Sequence, residues 1–170
     1  MALSSWSAFY TMIGSSTAAL MGLMFVVISM IMGTARERRS PEGISVFTTP
    51  TVVHFGAALI VAGDMLAPWH SVRSACVITA VLAVCGLAYM ARVIGRTHKM
   101  VDYDADLEDK LWYNIFPFVA YGTVGAGSFL ALGSSGAGLF VVAAGVVMLM
   151  FVGIRNAWDI VTFIAVRHEA

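Results

Sequence analysis

The chain has 170 residues, about one domain's worth of sequence. Apolar residues make up 59% and charged residues 12%, with a mean hydropathy of +0.85, against roughly 45–50% and about 25% in ordinary globular domains. Ten basic and ten acidic side chains are too few to cover a soluble domain of this size. A soluble enzyme, a nucleic-acid binder and a disordered tail are therefore excluded, and an all-α integral membrane protein remains.

An unassisted helix needs about 20 apolar residues to cross the hydrocarbon core. The first 35 residues contain no Lys, Arg, Asp or Glu, and 8–32 is apolar enough to span before Arg36, Glu37, Arg38 and Arg39 end it. Pro41, Gly43 and the helix-opening pair Thr49 and Pro50 predict a loop over 40–50. A second span follows at 51–68, ending at Pro68, Trp69 and His70, and a third at 74–94, closed by Arg92, Arg96 and Lys99. A polar stretch over 96–110 precedes a fourth span at 112–132. After the turn Gly133, Ser134, Ser135 and Gly136, a last apolar run covers 137–166, interrupted by Arg155, Asn156 and Asp159. The expectation is a single polytopic transmembrane helix bundle of five spans.

Five spans put the termini on opposite sides, and the positive-inside rule fixes which. With the N-terminus outside, the inner segments hold Arg36, Arg38, Arg39, Arg92, Arg96, Lys99, Lys110, Arg155 and Arg167, and the outside keeps Arg73. The expected topology is N-out, C-in. The N-terminus has neither a basic leader nor a small-residue cleavage site, so the first span is expected to be retained. Trp6, Tyr10 and Trp69 then fall near the outer interface, and Trp112, Tyr113 and Trp158 near the inner one, as an aromatic belt requires.

Sixteen glycines lie mostly in or beside spans. In lipid, helices associate through close backbone approach at small residues. Gly14, Ala18 and Gly22 in the first span and Gly122 and Gly125 in the fourth are expected to form packing seams, within one chain or between copies. Self-association follows as an expectation. The eleven methionines read as apolar filler. Cys76 and Cys85 lie nine residues apart, on opposite faces of one helix about 13 Å apart along its axis. They match no disulfide or metal spacing.

Polar residues at membrane depth are where function usually sits. Asp64 stands alone in the outer half of the second span, where it must face a partner or a water-filled cavity, or be protonated. Ser15, Ser16 and Thr17, at similar depth in the first span, are expected hydrogen-bond donors to it. The alternatives are a cation or proton site lining a path, and a residue at headgroup level. His54 lies ten residues before Asp64, about 15 Å away along the axis. Near its depth are Ser29, Tyr89, Asn114, Arg155, Asn156 and Asp159. Arg155 and Asp159 are four apart and read either as a self-neutralising pair or, with Thr162, as a stripe at a pore mouth.

The acids Asp102, Asp104, Asp106, Glu108 and Asp109 begin like a calcium loop. Leu107 occupies the position that needs Gly, and Tyr113 stands where the bidentate Glu belongs, so they are expected to favour the start of the next helix instead. The four histidines lie at different depths, which excludes a facing haem pair. No phosphate loop, nucleophile elbow, zinc spacing or paired intramembrane aspartate is present, so neither an enzyme nor a cofactor or metal site is expected.

The run Phe9, Tyr10, Ile13, Gly14, Ser15, Ser16, Ala18, Ala19, Leu20, Gly22, Leu23, Phe25, Val26, Val27, Ile28 and Ser29 resembles the first span of a group of small bacterial multi-spanning membrane proteins. The resemblance covers residues 9–29 and implies a bacterial inner-membrane setting, with no activity carried to any residue. The expected function is a homo-oligomeric channel or permease for an ion or small solute. Its candidate path residues are Asp64, Ser15, Ser16, Thr17, His54, Arg155, Asn156 and Asp159. The alternative is a non-catalytic subunit or assembly factor of a larger membrane complex.

Overall fold

The computed structural model describes residues 3–34, 41–97, 107–133 and 136–167. A 3-10 turn, Leu3–Trp6, leads into α1 (Ser7–Thr34), followed by α2 (Pro41–Leu66) and α3 (Val72–Thr97). A short α4 (Leu107–Lys110) runs through a π turn (Leu111–Ile115) into α5 (Phe116–Leu132), and α6 (Gly136–Arg167) completes the chain. Five stretches are long and apolar enough to cross a membrane: Leu3–Ser29, Thr49–Leu66, Val72–Arg96, Leu111–Leu132 and Gly136–Thr162. The chain is all-helical in its described residues and multi-pass by length and composition.

The expected loop over 40–50 is corrected, because α2 begins at Pro41 and carries Pro50 in its interior. Pro41 occupies a first-turn position, where its missing N–H is needed by no carbonyl. Pro50 deprives one carbonyl, that of residue 46, of its donor. At the far end Trp69 Nε1 donates to the Asp64 carbonyl over 2.7 Å, closing the last turn of α2. Ser71 Oγ accepts from the Arg73 amide at 3.1 Å, the N-cap geometry that opens α3. A five-residue connection therefore returns the chain antiparallel.

Helices α2, α6, α5 and α3 form a four-membered ring in which each packs on the next, and α1 lies outside it against α2, with a lighter contact to α6. Helices α2 and α5 face each other across the ring's diagonal. The α5–α6 seam is the closest. A Cβ added at Gly127 would lie 2.5 Å from the Val142 nitrogen, and one at Gly145 2.8 Å from the Val124 nitrogen. Only hydrogen in place of a side chain lets the backbones approach this far. The interior is filled by Ile13, Ala58, Ala62, Val124, Val142 and Val146, all nearly inaccessible. Leu23, Phe25, Val84, Phe129, Phe140 and Phe151 point outward, each more than half exposed, as an apolar solvent permits.

Of the five seam residues, Gly14 packs against Ala62 and Gly125 against Ala83, inside the chain. Gly22 and Gly122 have no atom within 4 Å of an added Cβ, and Ala18 is exposed. The belt expectation divides similarly. Trp69 and Trp158 are exposed, but Trp6 and Tyr10 are buried against Phe9 and one another rather than turned to lipid. Cys76 is buried and Cys85 exposed, both free, as opposite helix faces require.

Candidate functional site

Two polar stations lie inside the bundle at different depths. The first is at the end that carries the α2–α3 and α5–α6 turns, here the turn end; the opposite end is the basic end. Asp64, near the end of α2, is 9% exposed. The buried Thr79 hydroxyl of α3 donates to its Oδ2 over 2.7 Å. The Tyr10 hydroxyl of α1 is fully buried and has no hydrogen-bond partner among the described residues. Helices α2 and α3 thus meet at one carboxyl group through a committed threonine hydroxyl, while the buried Tyr10 hydroxyl of α1 is uncommitted.

Those donors differ from the ones expected. Thr17 is buried but turns its hydroxyl back on the Ile13 and Gly14 carbonyls, at 2.7 and 3.1 Å. A threonine in a helix can always satisfy itself this way. Ser15 is exposed and Ser16 only half-buried. Thr79 is the residue the sequence left unnoticed, a hydroxyl at membrane depth within one turn of Cys76.

The second station crosses the ring's diagonal. His54 Nδ1 of α2 and the Tyr121 hydroxyl of α5 are 3.2 Å apart, and both rings are buried. The Tyr121 ring lies on Gly86 of α3, where even a methyl group would collide with it. The ring of Phe55 lies on Gly153 of α6 in the same way, 2.6 Å from an added Cβ. Glycine on the two remaining helices is what admits these rings to the core. His54 Nε2 has no partner among the described residues.

Toward the basic end, the π turn supplies the next polar contact, and Pro117 explains it. The Phe116 N–H bonds the Leu111 carbonyl, one residue further back than in an α-helix. Pro117 follows without an N–H, so neither residue can serve the Trp112 carbonyl. Asn156 Nδ2 of α6 donates to it at 3.4 Å. Asn156 is fully buried, and its Oδ1 and that of Asn114 have no partner among the described residues.

Beyond this lies an exposed network. Arg155 pairs with Glu108 through its Nη2 and with Asp159 through its Nη1 at 3.4 Å. Tyr113 donates to Asp159 over 3.1 Å, and the guanidinium lies 5.8 Å from the Trp112 ring centre. The expected pair at 155 and 159 is present, with Glu108 as an additional partner contributed by α4. Asp102, Asp104 and Asp106 fall outside the described residues. Ser29 and Thr162 bond carbonyls of their own helices and join neither station.

The predicted path residues are therefore not one assembly. Asp64 sits in the first station, His54 in the second, Asn156 at the π turn beyond it, and Arg155 and Asp159 at the basic surface. Ala58, Val61, Ala62, Val124, Val142 and Val146 fill the core between the stations. Among the described residues, no three His, Cys, Asp or Glu side chains come together to hold a metal. Compared with known protein families, curated proteins and solved structures, the chain matches none.

Proposed function

We propose that the protein is a homo-oligomeric permease of a bacterial inner membrane, N-out and C-in, that passes a proton or small cation by way of Asp64. The observation that carries this reading is the carboxyl group itself. A charged carboxylate inside an apolar span is costly even near the span's end, and Asp64 is 9% exposed two residues before the end of α2, so its presence there argues for use. A carboxyl group with a donated threonine hydroxyl offers hard oxygen atoms, the donor type that suits a proton or hard cation. The dry layer between the stations favours a carrier that opens to one side at a time over a continuously open pore.

The test is flux into vesicles reconstituted with the purified protein, under imposed proton, sodium and potassium gradients. Asp64→Asn preserves shape and an acceptor for Thr79 while removing the ionisable group. Loss of flux with unchanged elution and melting supports the reading, and undiminished flux in the variant refutes it.

A second reading, a non-catalytic subunit of a larger membrane complex, is favoured by the exposed small residues Ala18 and Gly22 of α1. Close approach at such residues is how membrane helices associate. Gentle detergent purification decides between the two. Stoichiometric recovery of a second membrane protein supports the subunit reading, and a single species larger than the 18.1 kDa chain supports the homo-oligomer.

A further inference from the structure

We infer that the second station is the blind end of a hydrated inner vestibule, which admits water and small hydrogen-bonding solutes from the basic end as far as His54 and no further. Three buried polar atoms at this end have no partner among the described residues: His54 Nε2, Asn156 Oδ1 and Asn114 Oδ1. Buried polar groups in folded proteins are almost always hydrogen-bonded, to protein or to water. The surrounding helices give these three no protein partner. Water reaching them from outside satisfies all three, since it both donates and accepts.

The depths form a continuous series. Phe55 lies against Gly153, which sets the register of antiparallel α2 and α6. Asn156 is three residues further along α6, about 4.5 Å nearer the basic end. On α2 the same level is reached near Thr51, which is also fully buried. One more turn outward come Tyr113, Asp159 and Glu108, reached by the Arg155 guanidinium, and the Glu108 side chain there is 62% exposed. Polar groups therefore descend from solvent to the bundle's middle without a break. On the other side of His54 the interior is the packed cluster of Ala58, Val61, Ala62, Val124, Val142 and Val146, which offer water no hydrogen-bond partner.

The vestibule is tested without reference to transport, so it stands or falls separately from the role of Asp64. Single cysteines are placed at Asn156→Cys and, as a near-isosteric second variant, Thr51→Cys, with Val146→Cys as the dry control. All are made in a Cys76→Ala, Cys85→Ala background and checked for native elution. Silver ion is added to one face of oriented vesicles, and surviving thiols are labelled with a maleimide after denaturation. Silver on the face that bears Arg155 should abolish later labelling at 51 and 156 and leave 146 fully labelled. The inference is overturned if 51 and 156 stay labelled from both faces, if silver reaches them from the turn end, or if 146 is lost along with them.

Discussion

Replacing Gly127 by alanine adds one methyl group at a tight point of the α5–α6 seam. The new Cβ would stand 2.5 Å from the Val142 nitrogen and 2.9 Å from the Gly138 oxygen and the Val141 carbonyl carbon. All three are backbone atoms, so no rotamer change relieves the contact. The helices must separate by roughly 1 Å, and overpacking of this kind costs about 1–3 kcal/mol. Alanine's higher helix propensity returns at most about 1 kcal/mol. Gly22→Ala is the matched control, because no atom lies within 4 Å of its added Cβ. At about 2–4 °C per kcal/mol for a chain this long, Gly127→Ala should melt lower in mild detergent by as much as roughly 12 °C. Gly22→Ala should match or slightly exceed the parent. If both variants melt with the parent protein, the seam is not as close as described and the packing argument fails.

Thr79→Val removes the donor to Asp64 Oδ2 and should lower stability by about 1–3 kcal/mol, with Thr79→Ser recovering most of it in the same thermal assay. Tyr121→Phe removes the protein partner of the buried His54 Nδ1 and should cost about 1–3 kcal/mol; an unchanged melting temperature would show that the diagonal hydrogen bond contributes nothing. Glu108→Gln breaks a solvent-exposed ion pair, so its effect should stay below about 1 kcal/mol and shrink further in high salt. A large, salt-insensitive loss in that variant would mean the Arg155 network is shielded from solvent.

The five spans were readable from run length alone, because the bilayer demands a fixed number of apolar residues whatever the packing. The start of α2 was not, since the Thr49–Pro50 pair has the same signature whether it opens a helix or sits within one. Isolated polar residues such as Asp64, His54 and Asn156 announced themselves by their surroundings. Their partners did not. Thr79 and Tyr121 reach them from helices whose azimuth depends on which backbones approach closely, and that is settled by Gly86, Gly127, Gly145 and Gly153 acting together. Gly14 and Gly22 look alike in sequence, yet one packs on Ala62 and the other faces outward. A periodic stripe says that a helix has a small face but not what stands opposite.

The π turn at Leu111–Ile115 holds one residue more than an α-helix of the same length would, and that residue sets a phase. Each residue advances an α-helix by about 100°, so everything before the turn is rotated by that angle relative to everything after it. Tyr121 and Val124 can then address α3 and α6 while Trp112 and Tyr113 still reach Asn156 and Asp159 on α6. With Pro117 replaced by a residue that carries an N–H, the register could close to an ordinary helix. The apolar length of the span would survive such a change, but the two halves would no longer read the same neighbour. The proline thus acts as a phase adjuster, coupling the aim of the basic-end network to the aim of the core.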